Sequence, residues 1–215
     1  MIYILIALAL FGILTAVLAH QSAQTDSEGL TEEMAQFQST QVLAFAQGAQ
    51  SAVNQMLMSG SSPDDLIFDK PNVASYDTPP YIHKVFHPEG GGLVLKEANT
   101  ELFTGTDNDP VPGWYMGRFN NVEWTPTGDF DIILTAHQIS QVICETINEK
   151  ITGSRTIPAL AAGTLADFLI DDDEHGGTND NFEATDCAAC DGYANLCISN
   201  PAADMFDYYV IIEGL

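Results

Sequence analysis

The chain has 215 residues, 46% of them hydrophobic, which is enough to bury one sizeable core and sets it apart from disordered polymers. Six basic residues against thirty acidic ones leave a net charge of −24. A surface of that sign repels phosphate, so nucleic acid is excluded as a partner, because such binding draws most of its affinity from cationic contacts.

From Met1 to Ala19 there is no charged side chain, and the first appears at Asp26. About 20 apolar helical residues cross the hydrocarbon core of a bilayer, so this stretch predicts a membrane-competent helix. Its apolar positions are Ile2, Ile4, Leu5, Ile6, Leu8, Leu10, Phe11, Ile13, Leu14, Val17 and Leu18. None of the basic residues lies near it, whereas a secretory signal needs a positive region ahead of its apolar core. The expectation is either an unusual signal anchor or a chain whose basic leader has been removed just before Met1.

Beyond it, Leu30, Met34, Phe37, Val42, Phe45, Ala49, Val53 and Met56 recur at helical spacing with Gln and Ser between them. That is one apolar stripe on an otherwise polar helix. The first clear stop is Ser59-Gly60-Ser61-Ser62-Pro63. Residues 1–58 therefore predict one nearly continuous helix, about 85 Å long at 1.5 Å per residue, with a hydrophobic half at 1–25 and an amphipathic half at 26–58. Residues 59–215 predict a globular head.

Within the head, residues 59–80 read as an irregular linker rich in Pro, Ser and Asp. Tyr81–His87 and Leu93–Lys96 predict a hairpin-like pair of strands across Gly90-Gly91-Gly92, and Thr104–Pro112 predicts a turn. Gly113–Glu123 carries aromatics at strand spacing, and Phe130–Leu134 is a strand. Thr135 and Gln138 form a T-x-x-Q capping box for a second helix that ends at Gly153. Ile157–Ile170 is a short helix or a buried loop. Residues 171–197 form an acidic, cysteine-bearing loop, and Met205–Ile212 closes the head as a strand. The fold class is α+β: a long N-terminal helix packed on a small antiparallel sheet, with a cysteine-closed C-terminal region.

The four cysteines allow three pairings. Cys144 with Cys197 and Cys187 with Cys190 is the favoured set. Cys144 with Cys190 and Cys187 with Cys197 stays open beside it. The even count suits disulfides in an oxidising compartment. Cys187-Ala-Ala-Cys190 has redox spacing, but Asp186 and Asp191 flank it, and acids raise thiol pKa values. Asp171, Asp173 and Asp180 concentrate hard oxygens beside glycines, a calcium-type donor set. The twelfth position of that run is Phe182 where an EF-hand has Glu. Calcium is the cofactor this run suggests, and zinc on the cysteines is the weaker alternative to disulfides. His83 and His87 sit on an expected strand, which keeps them far apart. Trp114, Tyr115, Phe119 and Trp124 suit core packing. The sequence contains no G-x-S-x-G, no P-loop and no G-x-G-x-x-G, and the expectation is a protein without catalytic residues.

This layout resembles the type IV pilins and pseudopilins. An uncharged helix runs into an amphipathic one, then a small antiparallel sheet, then a cysteine-closed end. Ile139–Asn148 (ISQVICETIN) is similar to the cysteine-bearing helix of a divergent bacterial group of that family. Cys197 with Tyr208-Tyr209-Val210-Ile211-Ile212 is similar to that group's ending. Where most pilins have Glu at the fifth position this chain has Leu5, the pattern of a divergent or pseudopilin-like member. The resemblance implies a structural subunit whose segment from Ile2 to Leu18 is the polymerisation core. It would reside in the inner membrane before assembly and in an extracellular filament of copies of itself afterwards. The alternatives are a single-pass anchored periplasmic binding domain that does not polymerise, and a pseudopilin of a secretion system.

Overall fold

A computed structural model of the chain describes residues 32–95 and 100–214. The chain divides into two compact units, Met1–Phe37 and Gln38–Leu215, and the architecture below is that of the second. It is α+β, with a long N-terminal helix and one four-stranded antiparallel sheet. Helix α1 occupies 32–58, of which 38–58 belong to this unit. Among the described residues no helix is long and apolar enough to cross a membrane. The apolar run from Met1 to Ala19, and with it Ile2 to Leu18, lies outside them.

The apolar stripe of α1 is buried from Val42 onward, through Phe45, Ala49, Val53 and Met56. The helix stops where the sequence predicts. Gly60 takes φ 103, and the N–H groups of Gly60 and Ser61 donate to the carbonyls of Leu57 and Met56. These bonds form a Schellman ending, which needs a left-handed residue that glycine supplies without strain.

The expected strands at Tyr81–His87 and Leu93–Lys96 do not form; Lys96 itself lies outside the described residues. The chain instead winds through turns around Lys84, touching Ile67 by a single bridge. The cause is a buried cation: Lys84 Nζ donates to Asp69 Oδ2 at 3.2 Å, to the carbonyl of Tyr76 at 3.0 Å and to that of Ser75. Its backbone carbonyl accepts from Gly91 at 2.9 Å. A Cβ at Gly90 would collide with the carbonyl oxygens of Lys84 and Tyr81. Satisfying one buried ammonium with three acceptors outweighs a weak strand alternation.

Strands β1 (Gly113–Asn120), β2 (Asp131–His137), β3 (Asn195–Ser199) and β4 (Phe206–Glu213) are arranged in the order β1-β2-β4-β3. Helix α2 is Gln141–Thr152 and the short helix α3 is Leu165–Leu169. Trp114, Ala136, Tyr208 and Cys197 stand in one cross-strand row, and Tyr115, Thr135, Tyr209 and Leu196 in the next. Adjacent rows point to opposite faces. The first face meets α1 through Phe45, 4.4 Å from Trp114, and meets α2 through the Cys144–Cys197 disulfide. The second meets α3 and the acidic loop in a core containing Phe119, Ile133, Leu169, Phe182 and Tyr209. With both faces covered, every residue of β2 is buried.

Two sequence expectations are corrected here. The T-x-x-Q capping box does not cap α2, because Thr135 stays in β2 between Tyr115 and Tyr209 and donates to the Leu169 carbonyl at 2.7 Å. Ser140 is the N-cap, accepting from Ile143 N, and Gly153 ends the helix at φ 78. The acidic loop also ends earlier than 197. Asn195–Ser199 is a strand, so Cys197 lies in the sheet.

Candidate functional site

A buried polar cluster forms where β2 ends and β4 begins. Ala136 opposes Tyr208, which sets the next side chains, His137 and Asp207, side by side. His137 Nδ1 lies 2.6 Å from Asp207 Oδ2, and Asp207 Oδ1 accepts from Gln138 N at 2.9 Å. All three residues are buried. Gln138 adopts φ 61, a left-handed conformation uncommon for a side-chain-bearing residue and worth an explanation. The explanation is what the residue holds. Its carbonyl accepts from Thr104 N and Gly105 N, Oε1 accepts from Asp107 N, and Nε2 donates to the Pro110 carbonyl at 3.0 Å. Residues 104–110 are thus wrapped round one glutamine, and any Cβ at Gly105 would land on it.

Two cavities flank the cluster. One, of 580 Å³, is lined by Thr104, Asp107, Gln138, Asn200 and Asp204. The other, of 540 Å³, is lined by Asp109, His137, Asp167 and His175 among others. Both nitrogens of the imidazole between them are engaged. Nδ1 lies 2.6 Å from Asp207 Oδ2, and Nε2 lies 3.0 Å from Gln138 Nε2. Among the described residues no serine, threonine or cysteine side chain bonds to it. The cluster clamps a loop to the end of the sheet.

A second pair has the form of a nucleophile and its base. Ser61 Oγ lies 2.9 Å from His83 Nδ1 beside a cavity of 310 Å³. Acyl transfer also needs donors for an oxyanion. The neighbouring amides of Gly60, Ser61, Gly90 and Gly91 all donate to backbone carbonyls. This pair joins the end of α1 to the 82–91 turns.

No protein family, curated protein or solved structure matches the chain.

The residues singled out from sequence are distributed as follows. Cys144 pairs with Cys197 and Cys187 with Cys190, with Cα separations of 5.4 and 5.3 Å. Asp171 uses its carboxylate to cap a single 3-10 turn, accepting from Asp173 N at 3.3 Å, while Asp180 N donates to the Asp167 carbonyl. No three His, Cys, Asp or Glu among the described residues are arranged to hold a metal ion. His87 stacks on Tyr81 at 4.2 Å, apart from His83. Trp114, Tyr115 and Phe119 are buried, and Trp124 packs on Phe182.

Sequence reasoning missed His137, Asp207 and Asn148, and gave Gln138 a capping role that it does not have. Asn148 accepts from Cys197 N through Oδ1 at 2.8 Å and donates to the Cys197 carbonyl through Nδ2 at 2.8 Å. The available signal was polarity out of place, since His137-Gln138 sits between Ala136 and Ile139 and Asn148 follows Ile147. A buried polar residue must find partners, but which partners depends on strands distant in sequence.

Proposed function

We infer that this chain is a structural subunit of an extracellular, type IV pilus-like filament that polymerises through its hydrophobic N-terminal segment. The observation that carries the reading is the charge-free run from Met1 to Ala19, leading toward a helix seated on a disulfide-closed head. A segment of that kind is stable in lipid, and outside lipid it must be buried against copies of itself, since an exposed apolar surface of that size aggregates. Each Leu or Ile side chain so buried contributes about 1.5–3 kcal/mol. Some ten of them, from Ile2 to Leu18, make the bundle the dominant cohesive term. The inner membrane holds the subunit before assembly, and two disulfides suit the oxidising side to which the head is exported. Neither enzymatic activity nor nucleic-acid binding belongs to this reading.

Shearing cells that express the protein and pelleting the supernatant tests the proposal. Filaments containing the chain, seen by electron microscopy, are the expected result. Monomers confined to membranes and released only by detergent would overturn it in favour of an anchored binding domain.

A further inference from the structure

We propose that the solvent face of α1 is a contact surface for a second copy of this chain, with the two helices side by side and parallel. The contact stands whether or not the apolar N-terminal segment polymerises. From Met34 to Pro63 there is no Asp, Glu, Lys, Arg or His, in a chain with thirty acidic residues. Two molecules that each carry a net charge of −24 repel one another over most of their surfaces. On this face they meet without setting charge against like charge.

Burial divides the helix into two sides. Val42, Phe45, Ala49, Val53 and Met56 are buried, while Ala44, Gln47, Ser51, Asn54 and Met58 are exposed on the opposite side. The exposed set is spaced by three and four residues in turn, the repeat that lets two helices keep one line of contact. Met58 ends the line with 89% of its surface exposed. The polar groups between suit a copy of themselves, because an amide both donates and accepts hydrogen bonds whereas a carboxylate only accepts. In the parallel register Gln47 meets the partner's Gln47 and Asn54 the partner's Asn54, the self-matching that a two-fold contact requires. An antiparallel pair centred on Ser51 would set Asn54 against Gly48 and Met58 against Ala44. A single inward Asn is the group that fixes register in such pairs. The stretch 44–58 is about 20 Å long and about 10 Å wide, less than the roughly 800 Å² per partner of a stable dimer. The pairing is therefore weak and reversible.

The test uses the full chain in a non-ionic detergent, as an equal mixture of unlabelled and ¹⁵N-labelled protein with a benzophenone photo-cross-linker replacing the Met58 side chain. Mass mapping should find hybrid cross-links, one half labelled, that join position 58 to residues 51–58 of the other copy. Their yield should rise with sodium chloride, which shortens the repulsion between the acidic surfaces and leaves a neutral seam untouched. Gln47→Glu combined with Asn54→Glu should cut the yield by about tenfold without moving the melting temperature, since both side chains are exposed. The cross-links should persist in Leu8→Gly, and their loss there would assign the contact to the apolar segment instead. Cross-links confined to one chain, including any onto residues 1–31, would overturn the proposal. So would hybrid cross-links that land elsewhere on the partner, a yield indifferent to the two glutamates or falling with salt, or no hybrid cross-link at all.

Discussion

Asn148 does the work of a strand with one side chain. Its amide offers an acceptor and a donor in the spacing of a neighbouring backbone, and it meets both groups of Cys197 at 2.8 Å. Replacement by Ala leaves two buried backbone groups without partners, at about 1–3 kcal/mol each. Asn148→Ala should therefore lower the urea midpoint by the equivalent of about 2–6 kcal/mol with little change in slope. A loss under 1 kcal/mol would show that water fills the place. Tyr115 makes a different prediction. Burial, then Glu174 and Asp207, push its hydroxyl from 10.0 up to about 12. Between those values the folded protein keeps a proton that the unfolded chain has released. The stabilisation is therefore complete below pH 10 and declines as pH rises toward 12. Melting temperatures from pH 9 upward should fall less steeply in Tyr115→Phe than in the parent. The Tyr208 and Tyr209 hydroxyls, also pushed up by burial, keep part of the slope.

At the scale of elements, the two disulfides differ in what they cross-link. Cys144–Cys197 joins α2 to β3 across 53 residues, whereas Cys187–Cys190 closes a turn of separation 3. Chain entropy assigns about 4 kcal/mol to the first and about 2 kcal/mol to the second. Replacing each pair by serines should lower stability in that order, measured by denaturant unfolding, and a reversed order would count against the entropic account. The irregular segment 59–92 also behaves as an element, held by cations rather than by a ladder. Lys84 gathers its carbonyls from inside, while Arg118 reaches Asp64 at 2.6 Å and Lys70 reaches Glu174. Such contacts leave no trace in hydropathy.

For the whole molecule, charge dominates. Each of the five basic residues among the described ones has partners within the fold: Lys70 and Arg118 as above, Lys84 in its cage, Lys150 with Ser39 and Thr40, and Arg155 with Glu145 and Glu149. The acids left over repel one another across the surface. Salt at about 0.15 M shortens that repulsion to about 8 Å, so melting temperature should rise as sodium chloride is added, and a fall would mean that the few internal ion pairs outweigh the net charge. Assembly is the other prediction at this scale. Leu8→Gly or Leu10→Gly should abolish sheared filaments while leaving the thermal transition of the head unchanged. Normal filaments from either variant would remove the N-terminal segment from the cohesion of the polymer.

By itself the sequence determined what depends on neighbours along the chain. The stop of α1 at Ser59-Gly60, the end of α2 at Gly153, the strand cores of β1, β2 and β4 and the α+β class all follow from periodicity and from residues whose backbone preferences are local. Contacts between distant segments decided the rest. Thr135 and Gln138 have the spacing of a helix cap, yet sheet pairing on both sides of β2 claims the first, and residues 104–110 claim the second. β3 is too short to be read before β4 and Asn148 give it partners, and the acids near Asp171 are spread over a capped turn instead of converging. The physical reason is common to all of them. A local preference amounts to about 1 kcal/mol per residue, and satisfying a buried polar group is worth as much or more. Where the two conflict, the partner supplied by tertiary structure prevails.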